Sequence, residues 1–371
     1  PAPQPISPAY ATQMQVMVNS LNDMPLASNR INGSKGIGVL LGNSMMFQRF
    51  PTHKNYSDPQ LSNLYGMVLP LLKRGVPVEM VHMENTGYAE TLKNIKTLIM
   101  SYSNMKPVSA DVHQHIAEWV KSGGVLIYFG RDDDPFQQVR EWWNTNGNSY
   151  KTPSTHLFEL MGIKPEAGKE QYSYGNGKVY IVRKDPKELV LEEGQDNEFI
   201  ELVKNAYEQD AKAGKFETKN YFYLERGPYD IAAVMDENSD TTSLKINGPV
   251  IDLFNPELPV LTEKVVRPGE EAYLYDLSRI KDKSQPKVLC AASRVYDEKL
   301  NNSNYSFNTK SPSGTWNVMR IILPAKPITV SVTNMDHKEL TDIKTSWDPG
   351  TNTYLLQFTN DCNGINVELK W

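Results

Sequence analysis

The stretch that decides the fold runs from residue 97 to residue 130 and reads TLIMSYSNMKPVSADVHQHIAEWVKSGGVLIYFG. It opens and closes with short apolar runs, 97–101 and 125–129, which are typical of strands buried on both faces. Between them lies an apolar stripe at helical spacing, formed by Val112, Ile116, Trp119 and Val120. We expect Ser109 to cap this helix and Gly123 to end it. Strand, helix and strand in this order predict two parallel strands joined by a right-handed crossover.

The same alternation extends in both directions from this stretch. Further strands are predicted at 36–41, 76–81 and 178–183, and further helices at 61–74, 156–161 and 198–213. This pattern predicts an α/β domain over residues 34–215, with a flavodoxin-like or amidotransferase-like doubly wound parallel sheet and helices on both faces.

The pattern changes after residue 215. Short runs with alternating or β-branched residues follow, separated by turn clusters, at 221–224, 231–235, 288–292, 328–332, 354–358 and 365–371. They predict an antiparallel β-sandwich region over residues 216–371. Residues 1–33 are expected to form a linker and a docking helix. The apolar stripe of that helix, which contains Met14, Val18 and Leu21, is expected to pack against a preceding segment.

Composition excludes several classes of protein. The 371 residues carry 39 Lys and Arg against 44 Asp and Glu, a net charge of −5. This balance argues against a nucleic-acid partner, which would need a basic face, and no apolar run is long enough to cross a bilayer. The chain begins with Pro1, as expected after removal of a signal peptide or within a longer protein. The two cysteines, Cys290 and Cys362, are too few for a disulfide framework, although one bridge between them is possible.

Several stretches resemble a known family. WVKSGG and VLIYFG within 119–130, GVLLG at 38–42 and GNGKVYIV at 175–182 resemble the class I glutamine amidotransferase-like domain that follows the barrel in many glycoside hydrolases. The trimerisation domain of family 42 β-galactosidases is one such domain. Further on, FYLERGPYDIAAVMDE at 222–237 and PVIDLFNPELPVL at 249–261 resemble the β-sandwich that closes such proteins.

This resemblance implies an accessory and assembly module of a bacterial carbohydrate-processing protein. It implies a secreted, periplasmic or cell-surface location, a carbohydrate partner and a homo-oligomer, with the catalytic barrel upstream or on another chain. An active amidotransferase carries a Cys in a strand-to-helix turn, yet both cysteines lie in the β half and no Gly-x-Cys-x-Gly exists. We therefore expect no catalytic residue and no cofactor. Ser44 follows the first strand without a Gly-x-Ser-x-Gly elbow, so we expect it to cap a helix or line a ligand.

Candidate sugar-binding residues follow two of the predicted strands. They are Asn43 after the first strand and Arg131, Asp132, Asp133 and Asp134 after the strand at 125–129. Ligands of open α/β sheets bind at the carboxyl ends of the strands. Carboxylates there accept sugar hydroxyls or hold a hard cation. The alternative is a solvated acidic turn in which one Asp caps the next helix.

A polar insertion at 134–155 adds the aromatic candidates Trp142, Trp143 and Tyr150, whose rings could stack on sugars. We expect one Trp to be buried and the other to be available. His113 and His115 lie two apart on a helix, so they are expected to face solvent on different sides and to bind no metal. Two other functions remain open: an independent carbohydrate-binding protein, and a hydrolase with an unrecognised site at 132–134 and Ser44.

Overall fold

The computed structural model describes residues 6–31, 33–47, 64–238 and 240–371, without the side chains of residues 46 and 47. The chain divides into two compact units. The α/β unit contains residues 32–222 and 237–239, and the β unit contains residues 1–31, 223–236 and 240–371. No helix among the described residues is long and apolar enough to span a membrane.

Helices and strands are numbered in chain order. The helices are α1 Pro8–Asp23, α2 Ser44–Phe47, α3 Gly66–Leu72, α4 Ala89–Leu92, α5 Asp111–Lys121, α6 Pro153–Leu160 and α7 Asn197–Asn205. The first ten strands are β1 Arg30–Ile31, β2 Ile37–Leu41, β3 Glu79–His82, β4 Thr97–Met100, β5 Val125–Phe129, β6 Gln171–Tyr174, β7 Gly177–Val182, β8 Phe222–Arg226, β9 Tyr229–Val234 and β10 Leu244–Asp252. The others are β11 Val260–Val266, β12 Glu270–Asp276, β13 Lys287–Ala291, β14 Arg294–Asn301, β15 Asn304–Lys310, β16 Trp316–Ile322, β17 Thr329–Asn334, β18 Lys344–Asp348, β19 Thr353–Thr359 and β20 Ile365–Lys370.

The α/β unit is built on one six-stranded sheet in the order β3-β2-β4-β5-β7-β6. The first five strands of this order run parallel, and β6 pairs antiparallel with β7. Every residue of β4 and β5 is buried, as expected of central parallel strands. The sequence predicts the five parallel strands but not β6. Residues 61–63 of the helix predicted at 61–74 lie outside the described residues.

The helix of the deciding stretch, α5, buries one face against this sheet. Its buried residues are Val112, His113, Ile116, Ala117 and Val120. The predicted cap is wrong, because Ala110 is the N-cap and the Ser109 hydroxyl lies 3.5 Å from the Asp111 carboxylate instead. The end of the helix is as predicted: the chain turns at Gly123, with φ of 124°, where the glycine lacks the Cβ that would oppose this backbone.

The β unit contains three antiparallel sheets. One has six strands in the order β1-β8-β9-β12-β10-β11. The other two have four strands each, β13-β16-β19-β18 and β14-β15-β20-β17, and share a core that includes Phe307, Phe358 and Val367. The coarse prediction of an α/β region followed by antiparallel sheets is therefore confirmed. The six-stranded sheet is additional, and its short strand β1 comes from the N-terminal region of the chain.

Helix α1 packs on the β unit through its less apolar face. Thr12, Val16 and Ser20 are buried there, with Thr12 Oγ1 donating to the carbonyl of Trp316 at 2.8 Å. The hydroxyl of Tyr273 lies 2.9 Å from the Ser20 hydroxyl. The stripe of apolar residues noted in the sequence lies on the exposed side, and its members include Met14, Val18 and Leu21. The buried face of the helix contacts β13 and β16 of its own unit, and the packing of the exposed stripe against a preceding segment stays a prediction.

Candidate functional site

The acidic run after β5 is divided between a buried ion pair and the surface. Asp134 is buried, and each of its carboxylate oxygens lies 3.0 Å from Nζ of Lys106, which follows β4. Asp134 also accepts from Gln137 Nε2 at 2.6 Å and from the amide of Phe136 at 3.1 Å. It thereby caps the short 3-10 helix at 135–138, as the structural alternative for this run expected. Burial lowers the pKa of Lys106, and the Asp134 charge opposes this shift.

Asp132 is the shared hydrogen-bond acceptor of a second polar cluster next to this ion pair. Its carboxylate accepts from the Tyr128 hydroxyl, from Ser154 Oγ at 2.6 Å and from the Arg183 guanidinium. The residue adopts a left-handed backbone with φ of 59°, which turns its side chain back over β5. Burial, and secondarily the Asp132 charge, raise the pKa of the Tyr128 hydroxyl, so it acts as a hydrogen-bond donor. Both oxygens of Asp132 are therefore engaged in contacts within the protein.

The remaining candidates at this edge are nearer the surface. The amide of Asn43 donates to Glu84 Oε1 at 2.8 Å, and Arg131 pairs with Glu188 at 2.5 Å. Asp133 is exposed and makes no ion pair within the described ranges. No group of three potential ligands among the described residues could hold a metal ion. These residues therefore contact different partners within the protein, and their role in binding sugar stays a prediction.

Ser44, the one hydroxyl considered as a nucleophile, is engaged on both sides. Its Oγ donates to the carbonyl of Lys106 at 2.8 Å and accepts from the amide of the same residue at 2.8 Å. No His or carboxylate side chain is hydrogen-bonded to this hydroxyl in the described part of the chain. A base within hydrogen-bond reach is what would activate a serine. Ser44 instead links the segments that follow β2 and β4.

The two tryptophans of the insertion have different environments. Trp143 is 1 % exposed and its Nε1 donates to the carbonyl of Gln137 at 3.3 Å. Trp142 is half-buried and its Nε1 donates to the carbonyl of Pro107 at 2.8 Å. Tyr150, whose amide donates to the carbonyl of Trp143 at 2.9 Å, is also half-buried. Trp142 and Tyr150 are thus the two aromatic candidates that are not fully buried.

His113 contradicts the expectation that it faces solvent. It is fully buried, with Nε2 2.7 Å from the Tyr102 hydroxyl and Nδ1 2.8 Å from Nδ1 of His156. The reason is its position three residues before Ile116, on the edge of the apolar stripe. Burial, and then the neighbouring His156, lower the pKa of His113 to about 3, so its ring is neutral at pH 7. His115 is half-buried.

The two cysteines are far from this site in the chain, and both lie in the β unit. Cys290 and Cys362 are free thiols, so the bridge considered as one possibility does not form. Burial raises the pKa of the Cys290 thiol to about 12, which makes it unreactive.

The sequence analysis did not identify four polar residues of the site, Tyr102, Lys106, Ser154 and Arg183, and it placed a fifth, His113, in solvent. The available signal was a lone lysine within the apolar and small residues that follow β4, since lysine is seldom fully buried without a partner. The pairing itself joins residues 28 apart in the chain, and no local pattern reports it.

Comparison with known proteins gives partial structural matches. No protein-family model matches the sequence, and no curated protein matches it. The chain is similar to the β-galactosidase from Bacillus circulans sp. alkalophilus, with a TM-score of 0.42 and 13 % identity over 71 % of this chain and 43 % of that one. It is similar to a catalytic mutant of a GH42 β-galactosidase from G. stearothermophilus, with a TM-score of 0.40 and 14 % identity over 66 % of this chain and 40 % of that one.

A β-galactosidase from the haloarchaeon Halorubrum lacusprofundi gives a TM-score of 0.37 and 15 % identity over 67 % of this chain and 40 % of that one. The chain thus spans less than half the length of these solved structures. One of them is described as a GH42 β-galactosidase, and GH42 is the family named in the sequence analysis. Since the TM-scores lie below 0.5, the functional proposal rests on the residues of the chain itself.

Proposed function

We propose that this chain is a non-catalytic accessory and assembly module of a secreted carbohydrate-processing protein, which shapes a glycoside hydrolase cleft or an oligomer interface. One observation carries the non-catalytic part. The groups that could perform chemistry at the carboxyl ends of the parallel strands are hydrogen-bonded to one another. Asp132, Asp134, Lys106 and Ser44 each have structural partners, so none is poised toward a ligand.

The strand order supports a flavodoxin-like assignment of the α/β unit. Taken in chain order, the five parallel strands are arranged 2-1-3-4-5, which is the flavodoxin-like arrangement of doubly wound sheets. An amidotransferase-like domain of this shape that lacks its thiol retains only a scaffold and its loops. We propose that residues 34–215 act as that scaffold, and that residues 216–371 stabilise the assembly or contact polysaccharide.

A second candidate function is a stand-alone carbohydrate-binding protein. It is favoured by Trp142 and Tyr150, two half-buried aromatic residues of a loop insertion on a rigid scaffold. The accessory module differs from this candidate in needing a catalytic partner to act on sugar.

Turnover of 4-nitrophenyl glycosides by the purified chain tests the proposal. A panel of β-galactoside, β-glucoside and β-mannoside substrates should give rates equal to the uncatalysed rate. If a preparation shows trace turnover from a contaminating enzyme, the Asp132→Asn preparation should show the same rate, because the contaminant does not carry that substitution. Hydrolysis that is present in the wild type and lost in Asp132→Asn would overturn the non-catalytic proposal.

Affinity electrophoresis in gels containing polysaccharide separates the two candidates. Retention of the isolated chain, lost in Trp142→Ala, favours the stand-alone binding protein. Migration unaffected by every polysaccharide favours an accessory role that needs the missing catalytic partner. Trp119, half-buried on α5, offers a control substitution, Trp119→Phe, that leaves the insertion intact.

A further inference from the structure

Three half-buried rings pack together in the α/β unit. The ring of His156 stands nearly perpendicular to that of Trp142, with centroids 5.2 Å apart, and to that of Tyr150, with centroids 5.0 Å apart. We call the group formed by Trp142, Tyr150 and His156 the ring notch. The Nε1 of Trp142 is bonded to the carbonyl of Pro107, so this residue offers the notch only its apolar ring.

A chain of buried hydrogen bonds leads from the core to this notch. The Tyr102 hydroxyl lies 2.7 Å from His113 Nε2, and His113 Nδ1 lies 2.8 Å from His156 Nδ1. Tyr102 and His113 are both fully buried. Each contact joins two groups that can either donate or accept, so the direction of the whole chain depends on one end.

The buried end fixes that direction. Within the described ranges, the hydroxyl of Tyr102 has His113 Nε2 as its one hydrogen-bond partner. A buried O–H without an acceptor is unfavourable, so Tyr102 donates and His113 Nε2 accepts. The proton of neutral His113 is then on Nδ1, which donates to Nδ1 of His156. A neutral His156 must therefore carry its own proton on Nε2.

That Nε2–H group is available to a ligand. In the part of the chain that the structure describes, Nε2 of His156 has no hydrogen-bond partner and is not among the buried unsatisfied atoms. Burial keeps the pKa of His156 below its ordinary value, although the nearby Glu159 charge opposes this shift. The ring is thus a neutral donor at pH 7, held in one tautomer by residues behind it.

We propose that the ring notch is a binding subsite for a neutral pyranose, in which the Nε2–H of His156 donates to a sugar hydroxyl between the rings of Trp142 and Tyr150. Aromatic rings suit the C–H faces of a pyranose, and a neutral N–H can donate to a sugar hydroxyl. The exposed carboxylate of Glu159 on the same helix disfavours an anionic ligand, so a neutral sugar is the better fit. This subsite rests on the proposed carbohydrate-related function and specifies the ligand class.

Histidine tautomers are read directly by two-bond 1H–15N NMR correlation with labelled histidine. The chain has six histidines, so assignment by single substitution is practical. His156 should appear as the Nε2–H tautomer and His113 as the Nδ1–H tautomer at pH 7. In Tyr102→Phe, which removes the hydroxyl that sets the direction, the two rings should lose this fixed assignment. A wild-type His156 with its proton on Nδ1 would overturn the relay.

Ligand binding is tested on the full chain with methyl β-D-galactopyranoside and methyl β-D-glucopyranoside by NMR titration. His156→Phe keeps a ring but removes the donor, and should weaken binding of the bound glycoside by about tenfold or more. Tyr150→Leu should also weaken binding while leaving the His156 tautomer unchanged. The exposed His82 of β3 gives the control His82→Phe, which should bind like the wild type.

Failure of the subsite is distinguishable from failure of the proposed function. Absence of binding by either glycoside at millimolar concentration, or equal binding by wild type and both notch variants, would overturn the subsite. Glycoside hydrolysis by the chain would overturn the non-catalytic proposal whatever the notch does. If His156→Phe does not fold, Tyr150→Leu and the tautomer measurement decide the question.

Discussion

Acidification should destabilise the α/β unit through His113, and the size of the effect follows from its burial. Its pKa is lowered to about 3 in the folded chain, first by burial and then by His156, while an unfolded histidine titrates near 6.5. Below about pH 6.5 the unfolded state therefore binds a proton that the folded state excludes. Stability falls as the pH falls, by about 1.4 kcal/mol at pH 5.5 and by roughly 3 kcal/mol at pH 4.5.

Urea unfolding of the wild type and of His113→Gln at about pH 7 and about pH 4.5 measures this contribution. Hydrogen exchange of the amides of α5 reports the α/β unit specifically. The variant will be less stable at pH 7 because it loses the contacts to Tyr102 and His156. However, its further loss on acidification should be smaller than that of the wild type by roughly 3 kcal/mol.

His115→Gln, two residues along the same helix, is the matched control and should retain the wild-type pH dependence. The reasoning would be refuted if His113→Gln lost as much stability between the two pH values as the wild type does. In that case His113 would be protonated in the folded chain, and the buried hydrogen bonds that end at His156 would have another arrangement.

Three other outcomes are expected. Lys106→Met should cost about 3–5 kcal/mol of unfolding free energy in urea, because it leaves the Asp134 carboxylate buried without its cation. Adding Asp134→Asn should recover most of this loss, and no recovery would show that the two groups are not coupled. Trp143→Ala should also cost about 3–5 kcal/mol by the same assay, since the ring is 1 % exposed, and a loss below about 1 kcal/mol would place it at the surface. A thiol reagent such as DTNB should modify Cys362 alone in the native chain and Cys290 only after denaturation; two rapidly reacting thiols would contradict the burial of Cys290.

The α/β core could be predicted from the sequence because its signals are local. The apolar runs of β4 and β5 and the stripe of α5 lie within one stretch of 34 residues, 97–130. The two glycines after the helix mark its end. Strand β6 was missed because its alternating Tyr and polar residues resemble the turn-rich sequence around it, and its place at the sheet edge comes from the hairpin with β7.

The candidate site could be predicted only in part, because its contacts are long-range. The position of the acidic run after β5 followed from the strand pattern. Which carboxylate is buried did not follow, since it depends on Lys106 reaching Asp134 and on Arg183 reaching Asp132 from strands that are neighbours only in the sheet. The single lysine after β4 signals that a partner is needed, but the sequence does not show which carboxylate that partner is.

His113 illustrates a different limit. A histidine on a helix next to an apolar stripe can lie on either side of the boundary between core and solvent, and the spacing to Ile116 alone does not decide between them. The outcome depends on a buried hydroxyl from Tyr102 and on a second histidine from α6, which together satisfy its two ring nitrogens.

The unfolding free energy of Asp132→Asn tests most directly whether the carboxyl edge of the sheet is structural. Asparagine tolerates the left-handed backbone of this position, so the substitution chiefly removes the charge that meets Tyr128, Ser154 and Arg183. A structural carboxylate predicts a loss of about 1–3 kcal/mol in urea unfolding at pH 7. Carboxylates held ready for a substrate tend instead to reduce stability, so an unchanged or increased unfolding free energy would contradict the structural role and favour a ligand site.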